Sequence, residues 1–122
     1  MIRVLLADDS SYFRNELKNI LHKLNINEII EFENGMDLVN HYKTLYNQKE
    51  YKDIIMVDLA MPMLDGFGAL KEILKINPDA NVIILCGKNR GLVIEGIQLG
   101  AKWFIWKPFD EENIKEAINR FI

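Results

Sequence analysis

The chain is short of several things, and each shortage closes off a class of protein. It has one cysteine, Cys86, so no internal disulfide can staple it, which suits a reducing compartment such as the cytoplasm. Basic residues form no cluster: 15 lysines and arginines stand against 18 acids, for a net charge of −3. A surface for direct nucleic-acid binding or for an anionic membrane is therefore not expected. No apolar run reaches the length of a membrane span, and the opening "MIRVLLADDSS" turns acidic too soon for a secretory leader. With three prolines and seven glycines, no Pro/Gly/Ser linker, repeat or low-complexity tract divides the chain. The expectation is one domain over residues 1–122, with no attached effector domain and enough length to bury a single core.

What is there alternates. "IRVLLAD" reads as a strand buried on both faces, and Phe13, Leu17, Ile20, Leu21 and Leu24 then follow at helical spacing, with Ser10 or Ser11 placed to cap them. "NEIIEF" is a short strand, and after "ENG" a second helix presents Leu38, Val39, Tyr42 and Leu45. "DIIMVD" is a further strand, apolar between its first and last acids. From Gly66 a third helix shows Leu70, Ile73 and Leu74 before Pro78 forbids continuation. "NVIILC" is a fourth strand. The helix after it is weak, with Val93, Ile94 and Ile97 on its stripe but Gly91 and Gly96 within it and Gly100 at its end. "KWFIW" is a fifth strand, and a last helix from about Asp110 lines up Ile114, Ala117, Ile118 and Phe121. Such strict alternation, with strands apolar along their length, argues for an α/β fold with a five-stranded parallel sheet covered by helices on both faces.

In open sheets of this kind ligands bind beyond the carboxyl ends of the strands. The residues read there are Asp8 and Asp9 after the first strand, Asp58 closing the third, Cys86 closing the fourth and Lys107 following the fifth. Three carboxylates repel one another, so they call for a counter-charge. A hard divalent cation such as Mg²⁺, bound by oxygens alone, supplies it together with the Lys107 ammonium. That set suits an aspartate accepting a phosphoryl group, with metal and lysine offsetting the charge on the phosphoryl oxygens. Taken singly, an acidic pair is commonly a solvated turn, an aspartate after a strand a cap, and a Lys-Pro an exposed turn. Their convergence on one sheet edge is what favours chemistry. His22 and His41 fall within helices and receive no role.

These residues resemble the receiver domain of two-component response regulators, with a lean toward the single-domain, chemotaxis-type members. "LLADDSSYFRNEL" is similar to the family's acidic pair and first helix, "VDLAMPMLDGFGAL" to its Asp-x-x-Met-Pro-x-x-Asp-Gly acceptor segment, and "GAKWFIWKPF" to its Gly-Ala…Lys-Pro-Phe ending. The resemblance implies a flavodoxin-like (βα)₅ fold with strand order 2-1-3-4-5, the order the general rule for doubly wound sheets itself illustrates with a member of this family. It implies Asp58 as phospho-acceptor, Asp8, Asp9, Asp58 and the Ala60 backbone carbonyl as Mg²⁺ ligands, Lys107 as the phosphate-contacting lysine, and a cis Lys107–Pro108 peptide. The phosphoryl group would come from a sensor histidine kinase or phosphotransfer protein. The signal would leave through the face of the fourth helix, fifth strand and fifth helix toward a downstream protein.

Two residues depart from the pattern. Cys86 stands where the family carries a Ser or Thr that donates to the phosphoryl group, and a thiol is a weak donor. Phe104 stands at the switch Tyr/Thr position and has no hydroxyl. An interaction module that is not switched by phosphorylation is thus the alternative function. A phosphohydrolase would want an acid where Ala60 stands, a nucleotide binder would want small residues where the first loop is acidic, and a redox role for Cys86 has no second cysteine to resolve it.

Overall fold

A computed structural model describes residues 1–48, 50–61, 63–87 and 89–122. Its elements run β1 (Ile2–Ala7), α1 (Ser11–Lys23), β2 (Ile29–Phe32), α2 (Gly35–Leu45), β3 (Lys52–Asp58), α3 (Gly66–Ile76), β4 (Asn81–Cys86), α4 (Arg90–Leu99), β5 (Trp103–Trp106) and α5 (Glu111–Asn119). All strand pairs are parallel, in the order β2-β1-β3-β4-β5. This is the flavodoxin-like arrangement the resemblance implies.

The pleat sorts the side chains into two layers. Leu5, Ala7, Ile55, Val57, Val82 and Ile84 point toward α2, α3 and α4. Their neighbours Val4, Leu6, Ile54, Met56, Ile83 and Leu85 point toward α1 and α5. Because the three inner strands are apolar on both faces, neither layer can be left to water, and burial there supplies roughly 1.5–3 kcal/mol per large side chain. The edge strands β2 and β5 are short, with four residues each, and partly exposed, which limits the unpaired backbone they present.

Each helix begins with a side chain that accepts from its first free amides: Ser10, Asn34, Asp65, Asn89 and Asp110. All five caps lie on the rim where the strands end, which makes that rim polar. α4 differs from the reading of its apolar stripe. Val93 and Gly96 face inward, whereas Ile94 and Ile97 are 58% and 40% exposed. Gly96 explains the rotation, since a Cβ there would collide with Ile84 Cδ1. The missing side chain lets the helix lie close on β4.

Candidate functional site

β1 delivers Asp8 one residue past its end, and β3 delivers Asp58 as its last residue. These neighbouring strands bring the two acids together. Carboxylate oxygens of Asp8, Asp9 and Asp58 lie within 4.8 Å of one another, with Asp8 and Asp58 buried and Asp9 exposed. Lys107 comes from beyond β5, where its amide donates to the Cys86 carbonyl at 2.8 Å and the Lys107–Pro108 peptide is cis. Its Nζ stands 2.6 Å from Asp8 Oδ2 and 3.4 Å from Asp58 Oδ1. The structure thus brings Asp8, Asp9, Asp58 and Lys107 together.

The acids are unequally satisfied. Asp8 Oδ1 accepts from the Ser10 amide at 2.9 Å. Oδ2 is in ionic contact with Lys107, but among the described residues no donor meets it at hydrogen-bonding angles although it is fully buried. A buried carboxylate oxygen with an ionic contact but no hydrogen bond, beside two more carboxylates, belongs to an oxygen donor set suited to a hard divalent cation. Asp58 is pushed up from 3.8 to about 6, by burial first and by the charge of Asp8 second; Lys107 and a backbone hydrogen bond from Ala60 pull it down.

Cys86 is 3% exposed and its thiol donates to the Ile105 carbonyl at 3.4 Å, so its proton is directed at the neighbouring strand. Burial and then the Asp58 charge push this thiol to about 11, against the pull of Lys107, so the reactive thiolate is disfavoured. Phe104 packs edge-on against Trp106 with centroids 5.5 Å apart. The Ala60 residue is exposed. Pro62, part of the segment read around Asp58, lies outside the described residues.

The first turns of α1 contribute what the sequence reading missed. Phe13, read only as part of the core stripe, lies under Lys107 Nζ at 4.3 Å from its ring centroid and packs edge-on against Phe109. Glu16 accepts from the Phe109 amide at 3.2 Å and so ties the Lys-Pro-Phe loop to α1. Arg14 donates to the Asp8 carbonyl at 2.7 Å. Gly66 has no substitute in this packing, because a Cβ there would collide with the Asp58 carbonyl and crowd Leu59 Cα. The only available signal was position, since α1 follows the acidic pair directly.

Comparison with known proteins agrees with this geometry. The response regulator receiver domain family matches residues 4–119. The chemotaxis protein CheY of Thermotoga maritima is 40% identical over 119 residues, covering 97% of this chain and 95% of the relative. CheY of Bacillus subtilis is 39% identical over the same coverage. Among solved structures, the CheX–CheY–BeF₃–Mg complex from Borrelia burgdorferi superposes with a TM-score of 0.87 at 30% identity, covering 99% of this chain and 90% of that one. The chain belongs to the response regulator receiver domain family and is a module of two-component phosphorelay signalling.

Proposed function

We propose that the chain accepts a phosphoryl group on Asp58, in a Mg²⁺-dependent reaction, from a sensor histidine kinase or phosphotransfer protein in the cytoplasm. The observation that carries this reading is the meeting of Asp58 with two further carboxylates within 4.8 Å and with Lys107 at 3.4 Å. A carboxylate oxygen of Asp58 attacks phosphorus as the bond from phosphorus to the donor imidazole breaks. Lys107 pairs with the phosphoryl oxygens, and the Phe13 ring beneath its ammonium limits where it can wander. Asp8, Asp9, Asp58 and the Ala60 carbonyl are the residues that would hold Mg²⁺, which when bound offsets negative charge on the transferring group. The Borrelia CheY complex contains BeF₃, a phosphoryl mimic, together with Mg, which supports the assignment by likeness.

The output face in this reading is α4–β5–α5. It carries a groove of about 490 Å³ lined by Val93, Ile94, Ile97, Phe104 and Trp106 among others, with Ile94 and Ile97 exposed. An apolar strip of that kind suits a protein partner, whereas the chain's net charge of −3 speaks against direct nucleic-acid binding. No helix among the described residues is long and apolar enough to cross a membrane. Cys86 and Phe104 occupy the switch positions.

A second reading, a partner-binding module not switched by phosphorylation, is favoured by one observation: the Cys86 proton is directed at Ile105 and Phe104 has no hydroxyl to couple to it. One experiment separates the two. With Mg²⁺ and a small phosphodonor, intact mass should rise by one phosphoryl group, the rise should vanish in Asp58→Asn, and amide NMR shifts should change across α4 and β5. No Mg²⁺-dependent gain, or a gain that survives Asp58→Asn, sinks the acceptor role. A gain without shifts at α4 and β5 selects the unswitched module, and Cys86→Thr would then be expected to restore a response.

A further inference from the structure

Asp8 is tied at its amide, its carbonyl and one carboxylate oxygen, with Lys107 in ionic contact at the other; Asp9 has no such ties in its carboxylate. The Asp9 carboxylate is exposed and, among the described residues, has no hydrogen-bond or ionic partner within the chain. Its direction is therefore set by its backbone, and above all by the peptide plane that joins it to Asp8. The Asp8 amide end is anchored by its bond to the Phe32 carbonyl at 3.1 Å. The carbonyl of Asp8 is met by Arg14 Nη1 at 2.7 Å.

Arg14 is itself fixed. Its Nε donates to Glu31 Oε1 at 3.1 Å, its Nη2 stands 3.7 Å from Glu33 Oε1, and its side chain is only 12% exposed. Lys18 holds Glu31 from the other side at 3.0 Å. All three guanidinium nitrogens are engaged, each with a different residue, which the rigid planar fork of arginine allows and a lysine does not. Two glutamates also offset the Arg14 charge, so a cation near Asp8 meets little net repulsion from it.

We propose that Arg14 is a positioning residue for the cation site, holding the Asp8–Asp9 peptide so that the Asp9 carboxylate stays turned toward Asp8 and Asp58. The inference rests on the reading that this acid cluster takes Mg²⁺. Groups that orient metal ligands from behind commonly carry a share of the affinity, and the Asp8 carbonyl is the handle here.

The test is a MgCl₂ titration of the ¹⁵N-labelled chain, following the amides around Asp8, Asp9 and Asp58, with thermal midpoints measured without Mg²⁺. Arg14→Met should weaken Mg²⁺ binding by about tenfold. Glu31→Ala cuts the tie between Arg14 and β2 but leaves the Asp8 contact, so it should lower the midpoint and keep the affinity. Unchanged or tighter binding in Arg14→Met overturns the proposal, as does a loss in Glu31→Ala equal to that in Arg14→Met. Should Arg14→Met not fold, Arg14→Gln is read instead: its amide ends where Arg14 Nε stands, so it can keep a bond to Glu31 but falls short of the Asp8 carbonyl that Nη1 meets, and wild-type affinity in it overturns the role. A wild-type chain with no saturable Mg²⁺ shift removes the metal reading and this inference together. Binding that is lost in Asp9→Asn yet kept in Arg14→Met removes the positioning role alone.

Discussion

At the scale of the residue, Asp58 shows how a site stores its own cost. Burial and the Asp8 charge raise it from 3.8 to about 6, so in the absence of metal its ionisation opposes folding. Below about pH 4 the carboxyl is protonated in both states and nothing is lost; between about pH 4 and 6 the unfolded chain releases its proton more readily, and stability falls as pH rises. Asp58→Asn should accordingly match the wild type in acid and exceed it above pH 6, by about 1–2 kcal/mol after allowing for solvent screening. Urea midpoints of both proteins from pH 3.5 to 8 without Mg²⁺ check this, and equal midpoints at pH 8 would refute it. The acids and Lys107 were legible in the sequence because each closes or follows an apolar strand, and a parallel sheet gathers strand ends at one rim. Arg14 and Glu16 were not, because a charged residue on a helix looks the same whether it faces water or a backbone carbonyl. The direction of the Cys86 proton was hidden too, since it depends on the Cys86–Trp106 register of β4 and β5.

At the scale of the element, α4 rests on a glycine. The succession of strands and helices along the chain could be read from alternation alone, whereas the strand order within the sheet came from the family resemblance; the stripes of α1, α2, α3 and α5 fell on buried faces. On α4 the visible apolar residues misled, because the contact that orients the helix is made by Gly96, which periodicity cannot register. Gly96→Ala sets a gain in helix propensity of about 1 kcal/mol against a clash with Ile84 Cδ1 in a buried layer. Overpacking costs about 1–3 kcal/mol, so the single variant should lose stability. Ile84→Val removes the offending methyl, and the double variant should regain most of that loss, a non-additivity that denaturant midpoints of the four proteins would expose. Strict additivity would mean that α4 is not seated through this contact.

At the scale of the whole molecule, the two faces of the sheet are finished differently. α1 and α5 cover theirs with Leu17, Leu21, Ile114 and Ile118 fully or almost fully buried. The α4 side leaves Leu92, Ile94 and Ile97 open. Ile94→Glu, at a site already in water, should leave stability within about 0.5 kcal/mol while weakening capture of a downstream protein by phosphorylated chain, as a binding titration would measure; a loss of stability instead would mean that Ile94 is part of the core. The difference between faces also gives the molecule two optical windows. Trp103 lies under the Arg120 guanidinium, 3.3 Å from its ring centroid, on the α1 and α5 side, while Trp106 meets Phe104 beside the α4 groove. Two indoles on opposite faces of one four-residue strand emit from different layers. With Trp103→Phe and Trp106→Phe in hand, a signal that stops at one layer can be told by its colour and intensity from one that crosses the sheet.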